Sequence, residues 1–138
     1  MHKGMDMIRI PRSICERIVE HAKREFPLEC CGILGGREET VRKDFELSNV
    51  EKSSTRYVMS PQEQLRVFEE LEEESMELIA IYHSHPHTIP FPSETDVRMT
   101  FYPELTSIIV SLKEKDNPVM KAFKVEKEAI LLVEIEVF

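Results

Sequence analysis

The stretch "ELIAIYHSHPHTIPFPSETD", residues 77–96, passes from an apolar run through a proline-containing loop to a short polar segment. The nearly continuous apolar run is typical of a β-strand that is covered on both faces. His83 and His85 stand two positions apart at the end of this strand, and alternate side chains of a strand point to the same side. The two imidazoles therefore lie together and supply half of a tetrahedral metal site.

The loop after the strand can supply a third ligand, Asp96. Its prolines limit the entropy that the loop loses when it is fixed in place. Two imidazoles and one carboxylate leave a fourth position open for water, which distinguishes catalytic zinc from closed structural zinc. A structural zinc module remains the alternative, but its fourth ligand would have to be His87. That residue falls outside the strand alternation, and we interpret it as an exposed loop residue.

Ser93 and Asp96 also form a Ser-x-x-Asp pattern, which is close to the capping box that starts a helix. We expect both roles at once. Ser93 begins a helix that runs to about residue 101 while its hydroxyl faces the site, and Asp96 binds the metal from the first turn.

A hydrolytic metal site also needs a proton carrier, because amide cleavage must deliver a proton to the departing amine. The candidate is Glu29 in "FPLECCGILGG", residues 26–36. It stands just before a short buried strand, where a charged side chain does not stabilise the fold. The alternative is that Glu29 is a solvated residue at the start of a strand.

The cysteines argue against a disulfide scaffold, since Cys15, Cys30 and Cys31 cannot all pair within one chain. This composition, together with the absence of a visible secretory signal, predicts a cytoplasmic location. Cys30 or Cys31 with His83 could suggest a thiol protease. Both cysteines stand in an apolar strand, however, where cysteine acts as a small hydrophobic residue, and we favour a packing role.

Length and composition fit one domain over residues 1–138, with 41% hydrophobic and 32% charged residues. A net charge of −8 argues against electrostatic binding to nucleic acid or to an anionic membrane, since both require clustered lysine and arginine. The apolar runs are also much shorter than the roughly 18 residues of a membrane span.

Periodicity predicts a mixed β-sheet flanked by helices, an α/β fold. The predicted strands cover residues 7–10, 30–36, 41–47, 77–85, 106–112, 119–125 and 129–138, with a short extended piece at 57–59; the predicted helices cover 11–25, 60–75 and 93–101. Ser60 and Glu63 form a capping-box pattern at the second helix. Leu65, Phe68 and Leu71 are predicted to form its inner side.

Taken together, Glu29, the "HSHP" of residues 83–86, Ser93 and Asp96 resemble the signature of the JAMM (MPN+, or Mov34/MPN/PAD-1) metalloprotease family. The signature is E…H-S/T-H-P-x6-S-x-x-D, and the chain matches every position. "LECCGILGG" and "YVMSPQEQL" are similar to the corresponding family segments. The small size resembles the prokaryotic branch, whose members include sulfur-carrier-protein peptidases.

This resemblance implies a cytidine-deaminase-like (MPN/JAB1) α/β sandwich. It also implies Zn²⁺ bound by His83, His85 and Asp96. Glu29 would act as general acid/base and carry a proton from the attacking water to the leaving amine. Ser93 would donate a hydrogen bond to the oxyanion.

The resemblance further implies a zinc metallopeptidase or isopeptidase. Its partner would be a ubiquitin-like or sulfur-carrier protein of β-grasp fold, cleaved after a C-terminal Gly-Gly tail that adds to an exposed sheet edge. Such edges would also allow a homodimer. The alternative function is a non-catalytic MPN scaffold that only binds partners; relatives of that class lack the metal-binding residues, whereas this chain has all of them.

Overall fold

The computed structural model describes residues 6–100, 104–126 and 128–138. In these ranges the chain forms a β-sheet with helices on both faces. The strands are β1 (Met7–Ile10), β2 (Cys31–Arg37), β3 (Thr40–Leu47), β4 (Glu77–His85), β5 (Thr106–Ser111), β6 (Val119–Val125) and β7 (Ile130–Val137). The helices are α1 (Arg12–Glu25), α2 (Pro61–Glu73) and α3 (Glu94–Arg98). The predicted α/β class with a mixed sheet is confirmed.

The strand order is β1-β3-β2-β4-β5-β6-β7, and the sheet closes on itself because β1 also pairs with β7. Strand β4 runs parallel to β5, and β1 runs parallel to both of its neighbours. Strand pairing between β1 and β3 is limited to Arg9 and Thr40. Within the described ranges, most of the outer edge of β3 therefore has no strand partner. The homodimer remains a prediction.

The sheet carries α1 on one face and the other two helices on the opposite face. Ile14 and Ile18 of α1 belong to the same buried cluster as Tyr82 of β4. On the opposite face, Val67 of α2 packs in a cluster with Ile33 of β2. Burying one such side chain contributes about 1.5–3 kcal/mol, so both helices are held mainly by their apolar stripes. Strands β2 and β4 are covered on both sides, as predicted.

Helix α1 begins one residue later than predicted. Pro11 has an extended backbone with ψ of 140° and occupies the N-cap position, so that Arg12 is the first helical residue. The helical periodicity that predicts this helix rests on an apolar stripe of Ile14, Ile18, Val19 and Ala22. The stripe is confirmed, since Ile14, Ile18 and Ala22 are buried and Val19 is half-buried.

Helix α2 starts where the capping pattern predicted, but the capping box is only half formed. The Ser60 hydroxyl accepts a hydrogen bond from the Glu63 backbone N–H at 3.3 Å. The Glu63 carboxylate does not return to Ser60; it accepts hydrogen bonds from the backbone N–H and the hydroxyl of Ser48 at 2.6 and 2.9 Å. The hydrogen bond that a full capping box would form between the Glu63 carboxylate and the Ser60 N–H is thus replaced by hydrogen bonds to Ser48 in the preceding loop.

The predicted inner side of α2 is right for Leu71 and wrong for two other residues. Leu65 is 59% exposed and Phe68 is 37% exposed, whereas Val67 is 8% exposed. Successive helical residues turn by about 100°, so Val67 and Leu71 share one face and Leu65 points away from it. The face of α2 that contains Val67 packs on the sheet, so Phe68 lies at the margin of the contact between α2 and the sheet.

Helix α3 is a single short turn that begins after Ser93 and ends at Arg98. The helix is therefore shorter than predicted, since Met99 already caps its end and the helix does not run on toward residue 101. The predicted extended piece at 57–59 makes one isolated bridge, from Met59 to Asn49. In the part of the chain that the structure describes, each helix is too short or too polar to cross a membrane.

Candidate active site

The three predicted metal ligands meet at one point. His83 and His85 project from the end of β4 toward the face that carries α2 and α3, and Asp96 lies in the first turn of α3. The Nε2 atoms of the two histidines are 3.2 Å apart. The Oδ2 atom of Asp96 lies 3.2 Å from Nε2 of His83 and 3.0 Å from Nε2 of His85. Each histidine is only 3% exposed, so the cluster is shielded from water.

These separations fit a tetrahedral metal ion. Zinc binds imidazole nitrogen and carboxylate oxygen at about 2.0–2.2 Å, which places tetrahedral ligand atoms about 3.3 Å apart. The Nδ1 atom of His85 lies 2.9 Å from the carbonyl oxygen of Ile89, which can only accept. The neutral His85 ring therefore donates from Nδ1 and presents its Nε2 lone pair to the cluster, which is the arrangement that metal-binding histidines adopt. Two nitrogens and one carboxylate oxygen are a donor set that suits zinc.

Asp96 is fixed by the helix start. The Ser93 hydroxyl accepts a hydrogen bond from the Asp96 N–H at 3.0 Å, and Oδ2 of Asp96 accepts one from the Ser93 N–H at 2.9 Å. This complete capping box confirms that the Ser-x-x-Asp pattern starts a helix and orients the carboxylate at the same time. Burial by itself would raise the pKa of Asp96, but its close polar contacts with His83 and His85 outweigh burial and hold the pKa well below its usual range.

Glu29 reaches the same site from the segment just before β2, the strand beside β4. Cys31 pairs with His83 in the antiparallel register of β2 and β4. Continuing that register by two residues brings Glu29 opposite His85. Glu29 is 3% exposed, and its Oε1 atom has no hydrogen-bond partner within the described ranges. The alternative of a solvated Glu29 is therefore wrong.

The electrostatics of Glu29 suit a group that exchanges protons. Burial raises the pKa of Glu29 to about 8, with His85 lowering it and Asp96 raising it further. A cation held by His85 and Asp96 would favour the ionised form, since a nearby positive charge stabilises a carboxylate. A carboxyl group with a pKa near neutrality can both accept and release a proton at physiological pH.

Glu29, His85 and Ser93 line one cleft, together with the short polar side chains of Ser54 and Thr95. Next to this cleft, on the side of His83 and Asp96, is an apolar cavity of about 130 Å³. Its wall includes the side chains of Tyr57, Met59, Phe68 and Met99. The predicted metal ligands thus lie between a cleft lined by short polar side chains and an apolar cavity.

The sequence reasoning assigned no individual role to three residues that shape this site. Tyr57 stacks on His83 with ring centroids 4.6 Å apart and an interplanar angle of 27°. The Ser84 hydroxyl accepts a hydrogen bond from the Cys30 N–H at 2.8 Å, and the Asn49 side chain donates one to the Glu29 carbonyl at 3.0 Å. Strand alternation could have indicated that Ser84 points away from the histidines. No local pattern marks Asn49, which stands in a polar loop.

Two sequence alternatives can now be judged. His87 is exposed and lies outside the group of potential metal ligands, which in the described ranges comprises His83, His85 and Asp96. Cys30 and Cys31 are buried free thiols, and burial raises the pKa of Cys30 to about 12. A thiol with so high a pKa supplies almost no thiolate at neutral pH, so the thiol-protease alternative is disfavoured and the packing role holds.

Comparison with known proteins identifies relatives over most of the chain. The chain is 30% identical to the CysO-cysteine peptidase of Mycobacterium tuberculosis over 133 residues, which cover 94% of this chain and 91% of the relative. It is 38% identical over 93 residues to a probable TtuB-protein conjugate cleaving protease of Thermus thermophilus, covering 67% of this chain and 62% of that protein.

Solved structures show the same fold. A protein from Desulfitobacterium hafniense superposes with a TM-score of 0.89 at 33% identity, over 96% of this chain and 93% of that one. A JAB1/MPN domain protein from Archaeoglobus fulgidus superposes with a TM-score of 0.65 at 23% identity, over 96% of this chain and 98% of that one. At that identity the second likeness bears on the fold alone, and it supports the predicted MPN/JAB1 architecture.

The family of prokaryotic homologs of the JAB domain matches residues 11–126. This range contains Glu29, His83, His85, Ser93 and Asp96, the residues on which the resemblance to the JAMM signature rests. The resemblance is thereby confirmed, and the chain belongs to the prokaryotic branch of the JAB domain family.

Proposed function

We propose that this chain is a zinc-dependent metalloprotease that hydrolyses the amide bond after the C-terminal Gly-Gly tail of a ubiquitin-like or sulfur-carrier protein. One observation carries this proposal: a buried carboxyl group, Glu29, without a partner for Oε1, lies beside three converging metal ligands. A structural zinc site has no use for such a group, because its four protein ligands fill the coordination sphere.

His83, His85 and Asp96 would hold the zinc ion. When bound, zinc lowers the pKa of a coordinated water from about 15.7 to about 7 and polarises a carbonyl oxygen. The two neutral imidazoles and the ionised Asp96 together carry one negative charge. They would offset half of the charge of a divalent cation, so a net positive charge would remain at the site.

Glu29 would carry the proton. As a carboxylate it accepts a proton from the attacking water, whose oxygen forms the new bond to the carbonyl carbon. The protonated Glu29 then gives that proton to the nitrogen as the carbon–nitrogen bond breaks, so the free amine leaves and Glu29 returns to its carboxylate form. Burial helps this cycle, because a raised pKa makes the carboxylate a stronger base in the first step, and a pKa near neutrality still allows the protonated form to release the proton in the second.

Ser93 would stabilise the negative oxygen that develops on the substrate carbonyl. Its oxygen already accepts a hydrogen bond from the Asp96 N–H, so its own hydrogen is free to be donated elsewhere. Ser93 lines the cleft together with Glu29 and His85, where a scissile amide would lie. Removing one such donor typically lowers the rate about 10²–10³-fold.

The partner class follows from the relatives and from the cleft. Two relatives are named for cleaving CysO-cysteine and TtuB conjugates. The small side chains of Ser54 and Thr95 along the cleft suit a tail without bulky residues near the scissile bond. The apolar cavity beside His83 would take an apolar side chain of the partner protein, and Phe68 lies at its wall.

The test uses a β-grasp carrier ending in Gly-Gly with a C-terminal extension. Wild-type protein should hold about one zinc ion per chain and cleave after the second glycine. Glu29→Gln should keep the metal and lose turnover, whereas Glu69→Gln, the same change on the exposed face of α2, should behave as wild type. A Glu29→Gln protein that cleaves as fast as wild type contradicts the assigned mechanism. A zinc-loaded wild type that binds the carrier without cutting it supports the scaffold alternative.

A further inference from the structure

One side chain outside the metal cluster holds several backbone groups around the cleft. Asn49 follows β3 and is half-buried. Its Nδ2 atom donates hydrogen bonds to the carbonyl oxygens of Glu29 at 3.0 Å and Arg56 at 3.1 Å. Its Oδ1 atom accepts from the backbone N–H groups of Glu51 and Val58, both at 3.1 Å. A carboxamide offers two donor hydrogens and two lone pairs, so all four are used.

The acceptor half of Asn49 shapes the loop formed by residues 50–58. The bond from the Glu51 N–H closes a turn at the start of the loop, and the bond from the Val58 N–H fixes its end. The backbone bond from the Val50 N–H to the Val58 carbonyl, at 2.9 Å, closes the same loop. This loop carries Tyr57, which stacks on His83.

The donor half connects that loop to Glu29. Glu29 precedes the first residue of β2, so regular strand pairing does not hold it. Its N–H donates to the Ser53 carbonyl at 2.8 Å, and its carbonyl accepts from Asn49 at 3.0 Å. The peptide group before the Glu29 Cα atom is therefore held by Ser53 of the loop, and the peptide group after it is held by Asn49.

The backbone position of Glu29 decides where its carboxyl group lies. Oε1 of Glu29 has no hydrogen-bond partner among the described residues, so that atom is not anchored by a bond of its own. The direction of the side chain then depends on the Cα position and on packing. A displacement of about 1 Å at a reacting group can cost about 10²-fold in rate.

We propose that Asn49 is a positioning residue, which sets the Glu29 carboxyl group against the metal ligands by joining the Glu29 backbone to the 50–58 loop. The inference rests on the proposed function of Glu29 as the proton carrier. Asn49 does not belong to the metal-ligand cluster or to the lining of the cleft. It acts through Glu29 and through the loop.

Two variants separate the halves of the side chain. Asn49→Asp keeps the Oδ1 atom that accepts hydrogen bonds from the N–H groups of Glu51 and Val58. It replaces Nδ2, which donates to the Glu29 carbonyl, with a second oxygen that cannot donate. Asn49→Ser is neutral, and its shorter side chain can still close the turn but not reach the Glu29 carbonyl. Asn117→Asp makes the same chemical change in the exposed turn before β6 and serves as the matched control.

Steady-state cleavage of the extended carrier gives the first readout. We expect kcat to fall about 10–100-fold in both Asn49 variants, with KM changed less than about threefold and zinc content unchanged, because a misplaced proton carrier affects chemistry more than binding. Asn117→Asp should match wild type. If wild type cleaves and both Asn49 variants keep the kcat of the control, Asn49 does not position Glu29. A rise in KM alone, or a loss of zinc equal to the loss of rate, also overturns the inference.

Amide hydrogen exchange gives a second readout that does not depend on activity. In Asn49→Ser the Glu29 amide should exchange about tenfold faster, while the Ile33 amide inside β2 keeps its protection. Equal protection of Glu29 in variant and wild type contradicts the inference, and faster exchange at Ile33 as well would show a general structural role instead. A wild type that cleaves no carrier refutes the proposed function, and the exchange data still decide whether Asn49 holds Glu29.

Discussion

The Oδ2 atom of Asp96 lies 3.0 Å from Nε2 of His85. The same oxygen also accepts a hydrogen bond from the Ser93 N–H, so one carboxylate completes both the start of a helix and the ligand cluster. Because the capping box restricts the Asp96 side chain, the carboxylate loses little further ordering entropy when it holds a cation. The site is therefore preorganised for a cation.

Replacing Asp96 with asparagine should weaken zinc binding strongly. The substitution keeps the shape of the side chain and removes the negative charge that faces both histidines. Altering residues that merely support metal ligands typically costs about 10–100-fold in affinity, and loss of a charged ligand should cost at least as much. Competition with a chromogenic chelator measures the affinity. Asp116→Asn, in the exposed turn between β5 and β6, is the control, and equal zinc affinity of the two variants would remove Asp96 from the ligand set.

Ser93→Ala should lower kcat about 10²–10³-fold if the hydroxyl stabilises the oxyanion. The same change removes a helix cap and should cost about 1 kcal/mol of stability. Ser60→Ala removes the corresponding cap of α2, which is remote from the cleft lining, so it serves as the matched control. Cleavage kinetics and thermal unfolding of both variants separate the two effects. Equal losses of kcat in Ser93→Ala and Ser60→Ala would show that the cap, not the oxyanion contact, matters.

Phe68→Asp should raise KM for a protein substrate about tenfold or more while zinc content and kcat stay near wild type. Phe68 lines the apolar cavity beside His83, and a carboxylate there would disfavour an apolar side chain of the partner. Leu65→Asp introduces the same charge on an exposed residue of α2 that is not part of the cavity wall. Similar KM values for the two variants would place partner binding elsewhere.

Because of His21, the free energy of unfolding should be lower in mild acid than at neutral pH. It is 4% exposed, its Nδ1 atom lies 2.7 Å from the Tyr82 hydroxyl, and burial lowers the pKa of its imidazole although Glu46 raises it in part. Below pH about 6.5 the unfolded chain binds a proton that the folded chain refuses. The contribution of neutral His21 to the free energy of unfolding is therefore fully present above that pH. It is lost as the pH falls toward the lowered pKa of His21 in the folded state, by about 1.4 kcal/mol for each pH unit by which folding lowers that pKa.

The measurement compares melting temperatures at pH 7.5 and pH 5.0. His21→Gln should lose less stability between these values than wild type does, because one titrating group has been removed. His87→Gln makes the same change at an exposed imidazole and serves as the comparison variant. An undiminished difference in His21→Gln would assign the acid sensitivity to other groups.

Much of the fold could be predicted from local pattern. The apolar run before His83 and the stripe containing Ile14 and Ile18 were read correctly, since strand and helix periods are properties of neighbouring residues. The inner side of α2 was not, because Val67, Leu65 and Phe68 are all apolar and periodicity cannot decide which of them the sheet accepts. Closure of the sheet through β1 and β7 joins the two ends of the chain, which no local pattern encodes.

The candidate site divides in the same way. His83, His85 and Asp96 lie within a short stretch, and strand alternation together with a capping pattern places them on one side. Glu29 was identified as a candidate, but its depth of burial and its unpaired oxygen could not be derived from its neighbours in the chain.

The sequence by itself therefore determined the donor atoms, the strand and the helix that carry them, and membership of the family through the spacing of its motif. The tertiary structure decided that Glu29 lies beside these donors, that Ser84 holds the adjacent Cys30 across 54 positions of the chain, and that Asn49 holds the backbone of Glu29. The physical reason is the distance along the chain over which each effect acts. Dihedral preferences and side-chain periodicity depend on close neighbours in the sequence. Desolvation and hydrogen bonds between strands arise only when segments that are distant in the sequence pack together.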